Sequence, residues 1–127
     1  MAKILVVDDE PDMVEMIKAA LEGAAYQVIS AYNGQEGIEK AKNEKPDAII
    51  LDIMMPVKDG FAACKELKGD PACRDIPVLI LTGVSEHFAD SRYAKSMGLD
   101  LDAEDYIDKP IDPKVLLARL QKLLKKI

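Results

Sequence analysis

Three runs of four aliphatic residues, Ile4-Leu5-Val6-Val7, Ala48-Ile49-Ile50-Leu51 and Val78-Leu79-Ile80-Leu81, leave few folds open to this chain. A strand with one wet face alternates apolar and polar residues, whereas an unbroken aliphatic run suits a parallel strand covered on both faces. Each run ends on residues able to do chemistry: Asp8 and Asp9 after the first, Asp52 after the second, Thr82 after the third. In an open parallel sheet, ligands bind beyond the carboxyl ends of the strands, near the point where strand order reverses. If the strands all run one way, with Lys109 following the last of them, three carboxylates, a hydroxyl and an ammonium meet at one edge.

The intervening segments read as helices. Asp8-Asp9-Glu10-Pro11 places proline at a first helical turn, where its missing N–H is harmless. Val14, Ile17, Ala20 and Leu21 then recur at helical spacing, and Gly23 is a natural stop. Residues 26–31 read as a second strand, and Asn33-Gly34-Gln35-Glu36 resembles a capping box opening a helix to about Asn43. A third helix is expected from near Asp59 and Gly60, with Phe61, Cys64 and Leu67 inward, and a fourth from Ser85. A short strand follows at 105–108. Asp112-Pro113 then opens a last helix lined by Leu116, Leu120, Leu123 and Ile127, whose terminal lysines suit the negative end of the helix dipole. Five strand-then-helix units imply an α/β sheet with right-handed crossovers and helices on both faces.

At 127 residues the chain is expected to be one domain, spanning 1–127. A net charge of −6 argues against direct nucleic-acid binding and against an anionic membrane surface. No stretch approaches the roughly 18–20 apolar residues of a membrane span, and the first residues lack the features of a signal peptide. The expected setting is the cytoplasm. Cys64 and Cys73, nine apart, match no metal-ligand or redox spacing and are expected reduced. His87 has no partner ligand near it in sequence and reads as a solvated helix residue.

The acidic edge carries the chemistry. Two carboxylates about 4 Å apart repel by roughly 4 kcal/mol at an effective dielectric near 20. A hard divalent ion is the natural remedy, and Mg²⁺ uses a few carboxylates, waters and a phosphoryl oxygen. An Asp-Asp-Glu turn by itself is better explained by helix capping; adding Asp52 and Lys109 reverses the balance toward a metal site. Asp52, ending a buried strand, presents a carboxylate that can attack phosphorus and form an acyl phosphate. The Thr82 hydroxyl can bond a phosphoryl oxygen, Gly83 leaves backbone free to approach it, and Lys109 supplies the cation. No histidine base is required, since phosphoryl transfer relies chiefly on positioning and charge neutralisation.

Five ordered segments resemble the receiver domain of two-component response regulators: Val6-Val7-Asp8-Asp9-Glu10, Ile50-Leu51-Asp52-Ile53-Met54-Met55-Pro56, Asp59-Gly60, Pro77-Val78-Leu79-Ile80-Leu81-Thr82-Gly83 and Tyr106-Ile107-Asp108-Lys109-Pro110. The resemblance implies a flavodoxin-like, doubly wound, five-stranded parallel sheet of order 2-1-3-4-5 with five helices. It implies that Asp52 takes phosphate from a sensor histidine kinase or a histidine phosphotransfer protein. Mg²⁺ would sit on Asp9, Asp52 and the Met54 backbone carbonyl, with Asp8 acting mostly through water. Thr82 and Lys109 would grip the phosphoryl group. Thr82 and Tyr106 would act as the switch, remodelling the face of the fourth helix, fifth strand and fifth helix toward an output protein or a fused output domain. Lys109–Pro110 resembles the family's cis peptide. Such a protein is a switch rather than a turnover enzyme, promoting only its own phosphorylation and dephosphorylation.

Two features depart from the family. Thr82 and Lys109 are 27 residues apart, a few more than usual, with the surplus near Leu99 to Glu104. Met54 and Val84, two beyond Asp52 and Thr82, are apolar and cannot orient a hydrolytic water, which implies a long-lived phosphorylated form. Three rival readings stand beside the resemblance. A flavodoxin would need a cradle rich in Ser, Thr and Gly where this chain has Asp-Asp-Glu. A metal-dependent phosphohydrolase would carry an acid where Met54 stands, and a degenerate receiver would bind partners without phosphorylation.

Overall fold

The aliphatic runs form the strands expected of them. A computed structural model describes residues 2–52, 60–82, 105–108 and 111–125. In chain order these form β1 (Lys3–Val7), α1 (Pro11–Gly23), β2 (Gln27–Ala31), α2 (Gly34–Glu44), β3 (Ala48–Asp52), α3 (Gly60–Gly69), β4 (Val78–Thr82), β5 (Asp105–Asp108) and a C-terminal helix (Pro113–Lys125). The strands make one sheet of order β2-β1-β3-β4-β5, and every neighbouring pair is parallel. This is the flavodoxin-like winding. The described residues hold four helices; the one expected from Ser85, with His87, lies outside them, as do the extra residues near Leu99.

Period-two alternation along the strands divides the core into two layers. Ile4, Val6, Ile50, Leu79 and Leu81 pack with Val14, Ile17 and Leu21 of α1 and with Leu116, Leu120 and Leu123 of the C-terminal helix. Leu5, Val7, Ile49, Leu51, Val78 and Ile80 pack on the other side with Ile38 and Ala41 of α2 and with Ala63, Cys64 and Leu67 of α3. The aliphatic runs of β1, β3 and β4 are buried on both faces, which is why their sequence carries no polar alternation. Both cysteines are free and buried, and burial, helped by the neighbouring Asp70 carboxylate, pushes the Cys73 thiol up.

Two helix starts follow local chemistry, while the ends of α1 and α2 put non-glycine residues, Ala25 and Lys45, in the left-handed region. Asn33 caps α2, its side chain accepting from Glu36 N at 2.8 Å, while Glu36 Oε1 accepts from Tyr32 N at 2.7 Å. Asp112 Oδ1 accepts from Lys114 N at 2.9 Å at the start of the C-terminal helix. The end of α1 has the fuller hydrogen-bond pattern. Tyr26 N donates to Leu21 O and Ala25 N to Glu22 O, both at 3.0 Å, which is the Schellman pattern. The left-handed position of that motif is usually glycine, but here it is Ala25, at φ 70°. Gly23 lies two residues earlier as the last residue of the helix, and a Cβ there would meet nothing within 4 Å.

Exchanging these two requirements should stabilise the protein. A non-glycine residue in the left-handed region costs about 1 kcal/mol, and glycine inside a helix costs about 0.5–1 kcal/mol relative to alanine. The double variant Gly23→Ala/Ala25→Gly is therefore expected to gain about 1 kcal/mol after the extra unfolded-state freedom of glycine is counted. A urea midpoint equal to or below that of the parent would contradict the assignment.

Candidate functional site

Residues Val7 and Leu51 are register partners on the adjacent strands β1 and β3. Asp8 and Asp52 each follow one step later, so they stand side by side at the carboxyl end of the sheet, where parallel strands lie about 4.8 Å apart. The chain leaves β1 toward β2 on one side and later returns to β3 on the other. This is the point at which strand order reverses, and the two aspartates flank it. Alternation also sets their face: Asp8 is two residues beyond Val6 and Asp52 two beyond Ile50, both on the layer covered by α1 and the C-terminal helix.

Burial singles the pair out. Asp8 is 0% and Asp52 1% exposed, and they are the buried charged residues among those described. Holding a carboxylate that deep costs several kcal/mol unless hydrogen bonds and positive charge compensate it. Backbone geometry fixes Asp8. Its N–H continues the ladder to Ala31 O at 3.1 Å, and its Oδ1 accepts from Glu10 N at 3.0 Å. Glu10 is the N-cap residue of α1 but makes no side-chain cap bond. The positive end of the α1 dipole also lies at this turn.

One carboxylate oxygen from each of Asp8, Asp9 and Glu10 lies within 4.8 Å of the others. This donor set is all oxygen and all anionic, which fits a hard divalent cation and would not suit a soft one. Glu10 was missed as a ligand candidate by the sequence reading, which took it for part of a helix cap. The signal was present in its adjacency to the two aspartates. Asp52 does not belong to this trio; it enters from β3, paired in register with Leu81.

The other sequence candidates divide by where the structure describes them. Thr82 ends β4 with its backbone opposite Asp108 of β5, so it lies along the same sheet edge. Tyr106 lies on β5 opposite Ile80, two positions before the edge. Met54, Gly83, Lys109, Pro110 and Val84 lie outside the described residues. Arg119 Nη1 reaches both oxygens of Asp105, at 2.8 and 3.0 Å, tying the C-terminal helix to the start of β5. Among the described residues no helix is long and apolar enough to cross a membrane.

Comparison with known proteins matches residues 4–121 to the response regulator receiver domain. The chain is 42% identical over 124 residues to the alkaline phosphatase synthesis transcriptional regulatory protein PhoP of Bacillus subtilis, covering 98% of this chain and 49% of that protein. It spans half or less of the length of such curated relatives. The receiver domain of a signal transduction histidine kinase from Syntrophus aciditrophicus is 36% identical with a TM-score of 0.88, covering 100% of this chain and 92% of that one. The receiver domain of a sensor histidine kinase from Pseudomonas aeruginosa is 27% identical with a TM-score of 0.85, covering 98% of each chain. Its crystal structure has a magnesium ion coordinated in the active site cleft.

Proposed function

The chain belongs to the response regulator receiver domain family of two-component systems, and from that premise we propose that it is a switch set by phosphorylation of Asp52. The receiver unit would occupy the whole of 1–127. The observation that carries this reading is the pairing of two fully buried aspartates, Asp8 and Asp52, at the strand-order reversal beside the Asp8-Asp9-Glu10 oxygen trio.

In this reading an Asp52 carboxylate oxygen attacks the phosphorus of a phosphohistidine on a sensor kinase or phosphotransfer protein. The new O–P bond forms as the N–P bond breaks, and the imidazole leaves. Asp8, Asp9, Asp52 and the Met54 backbone carbonyl would hold Mg²⁺, with Glu10 at the rim; when bound, the ion neutralises charge on the transferring phosphoryl oxygens. The Thr82 hydroxyl and the Gly83 N–H would donate to those oxygens, and the Lys109 ammonium would pair with them. Asp52 is 1% exposed, and low-dielectric surroundings would strengthen these interactions.

Output would follow from the same groups. Thr82 drawn toward the phosphoryl group would open space for Tyr106, and β5 would carry that change to the C-terminal helix through the Asp105–Arg119 fork. The partner reading this face would be a separate protein or a further part of a longer polypeptide.

Acetyl phosphate tests the phosphoryl step without a kinase. Incubated with Mg²⁺, the purified chain is expected to gain the mass of one phosphate, and with EDTA none. Uptake that is independent of metal, or of more than one phosphate, would contradict the proposed site.

A further inference from the structure

We infer that Gly37 is a positioning residue for the acidic site: its missing side chain lets α2 seat against Val7, and Val7 fixes where Asp8 and Asp9 leave β1. This rests on the function proposed above. Gly37 is buried in the second turn of α2. A Cβ built on it would meet Val7 Cγ2 at 2.8 Å, Val7 Cγ1 at 3.0 Å and Val7 Cβ at 3.5 Å. The first distance is shorter than packed carbon atoms tolerate.

Rotating Val7 does not relieve the clash. Its two methyls fill two of three staggered positions, and both filled positions face residue 37. Every rotamer therefore leaves at least one methyl pointing at the new Cβ. Val7 is 1% exposed and packed among Leu5, Ile38 and Leu51, so no open space lies beside it. The strain must pass into backbone.

Two strands flank β1, the first turn of α2 is pinned, and Val7 is the last residue of its strand. Asn33 and Glu36 cap α2 against Tyr32, Gly37 N donates to Asn33 O at 3.0 Å, and the Lys40 ammonium pairs with Glu36 at 3.4 Å and bonds Ser30 O. This network adjoins Ala31, whose carbonyl receives the Asp8 N–H. Displacement of Val7 acts directly on the peptide that joins it to Asp8, and with it on the Asp8 N–H bond to Ala31 O.

The test compares wild type, Gly37→Ala and Val7→Ala/Gly37→Ala by amide NMR and Mg²⁺ titration, at a temperature where each is folded. Gly37→Ala is expected to shift the Asp8, Asp9 and Glu10 amides, to speed exchange of the Asp8 N–H, and to weaken Mg²⁺ binding about tenfold, as for loss of groups that orient metal ligands. The double variant, which removes both clashing methyls, is expected to restore the Asp9 and Glu10 amides and the affinity despite a lower urea midpoint. Unchanged Asp8–Glu10 amides in Gly37→Ala would overturn the inference, as would a double variant that restores nothing. If Gly37→Ala does not fold, a folded double variant supports the inference and an unfolded one overturns it. Absence of Mg²⁺ binding in wild type would sink the metal reading alone, since the amide shifts report positioning without metal.

Discussion

Asp52→Asn is expected to take up no phosphate from acetyl phosphate while keeping the fold. The carboxamide oxygen lacks the charge that makes Asp52 a nucleophile, yet it occupies the same volume at a site 1% exposed to solvent. Asparagine has an N–H₂ to satisfy in a pocket built for a carboxylate, a cost of about 1–3 kcal/mol if unmet. Relief of like-charge crowding beside Asp8 offsets part of it. The urea midpoint should therefore move little while phosphate uptake falls below detection. A folded variant that still gains one phosphate would move the acceptor elsewhere.

Magnesium is expected to have the second large effect. A ligand at a hundredfold excess over its dissociation constant stabilises the folded state by about 2.7 kcal/mol, roughly 10 °C in melting temperature for a chain of this size. Asp9→Asn should abolish most of that response, because it removes the charge of one of three carboxylates whose oxygens lie within 4.8 Å of one another. The same variant should melt higher than wild type in EDTA. Pairwise repulsion at that separation is about 3–4 kcal/mol at a dielectric near 20, and partial exposure of Asp9 and Glu10 screens it to a gain of about 1 kcal/mol. Melting curves of both proteins with EDTA and with Mg²⁺ measure all four states. Identical curves with and without the ion would contradict a cation site.

What was legible in the sequence was local. The aliphatic runs announced β1, β3 and β4 because strands buried on both faces admit little else. Asn33 with Glu36, and Asp112 before Pro113, announced helix starts because each cap closes within three residues. Local glycine chemistry misled at one point: Gly23 ends α1 as expected, yet the left-handed turn falls on Ala25, where the hydrogen-bond pattern rather than residue preference sets the backbone.

The site was legible in its components and not in its contacts. Its aspartates were identified by position after strands, but their adjacency depends on the Val7–Leu51 register, which joins segments far apart in sequence. Glu10 was read as a cap because an acidic residue before a helix is ordinary, and only the distances to Asp8 and Asp9 distinguish the two roles. The approach of Gly37 to Val7 has no local signature, since a glycine inside a helix is legible only as a propensity cost.

The central claim is that Asp52, and no other carboxylate, receives the phosphoryl group. Borohydride reduces an acyl phosphate to an alcohol, so trapping the phosphorylated chain and sequencing its peptides by mass spectrometry identifies the modified residue. The expected product is homoserine at position 52, formed only when Mg²⁺ was present. Homoserine at Asp8, Asp9 or any other position, or none in a chain that has gained phosphate, would contradict the account.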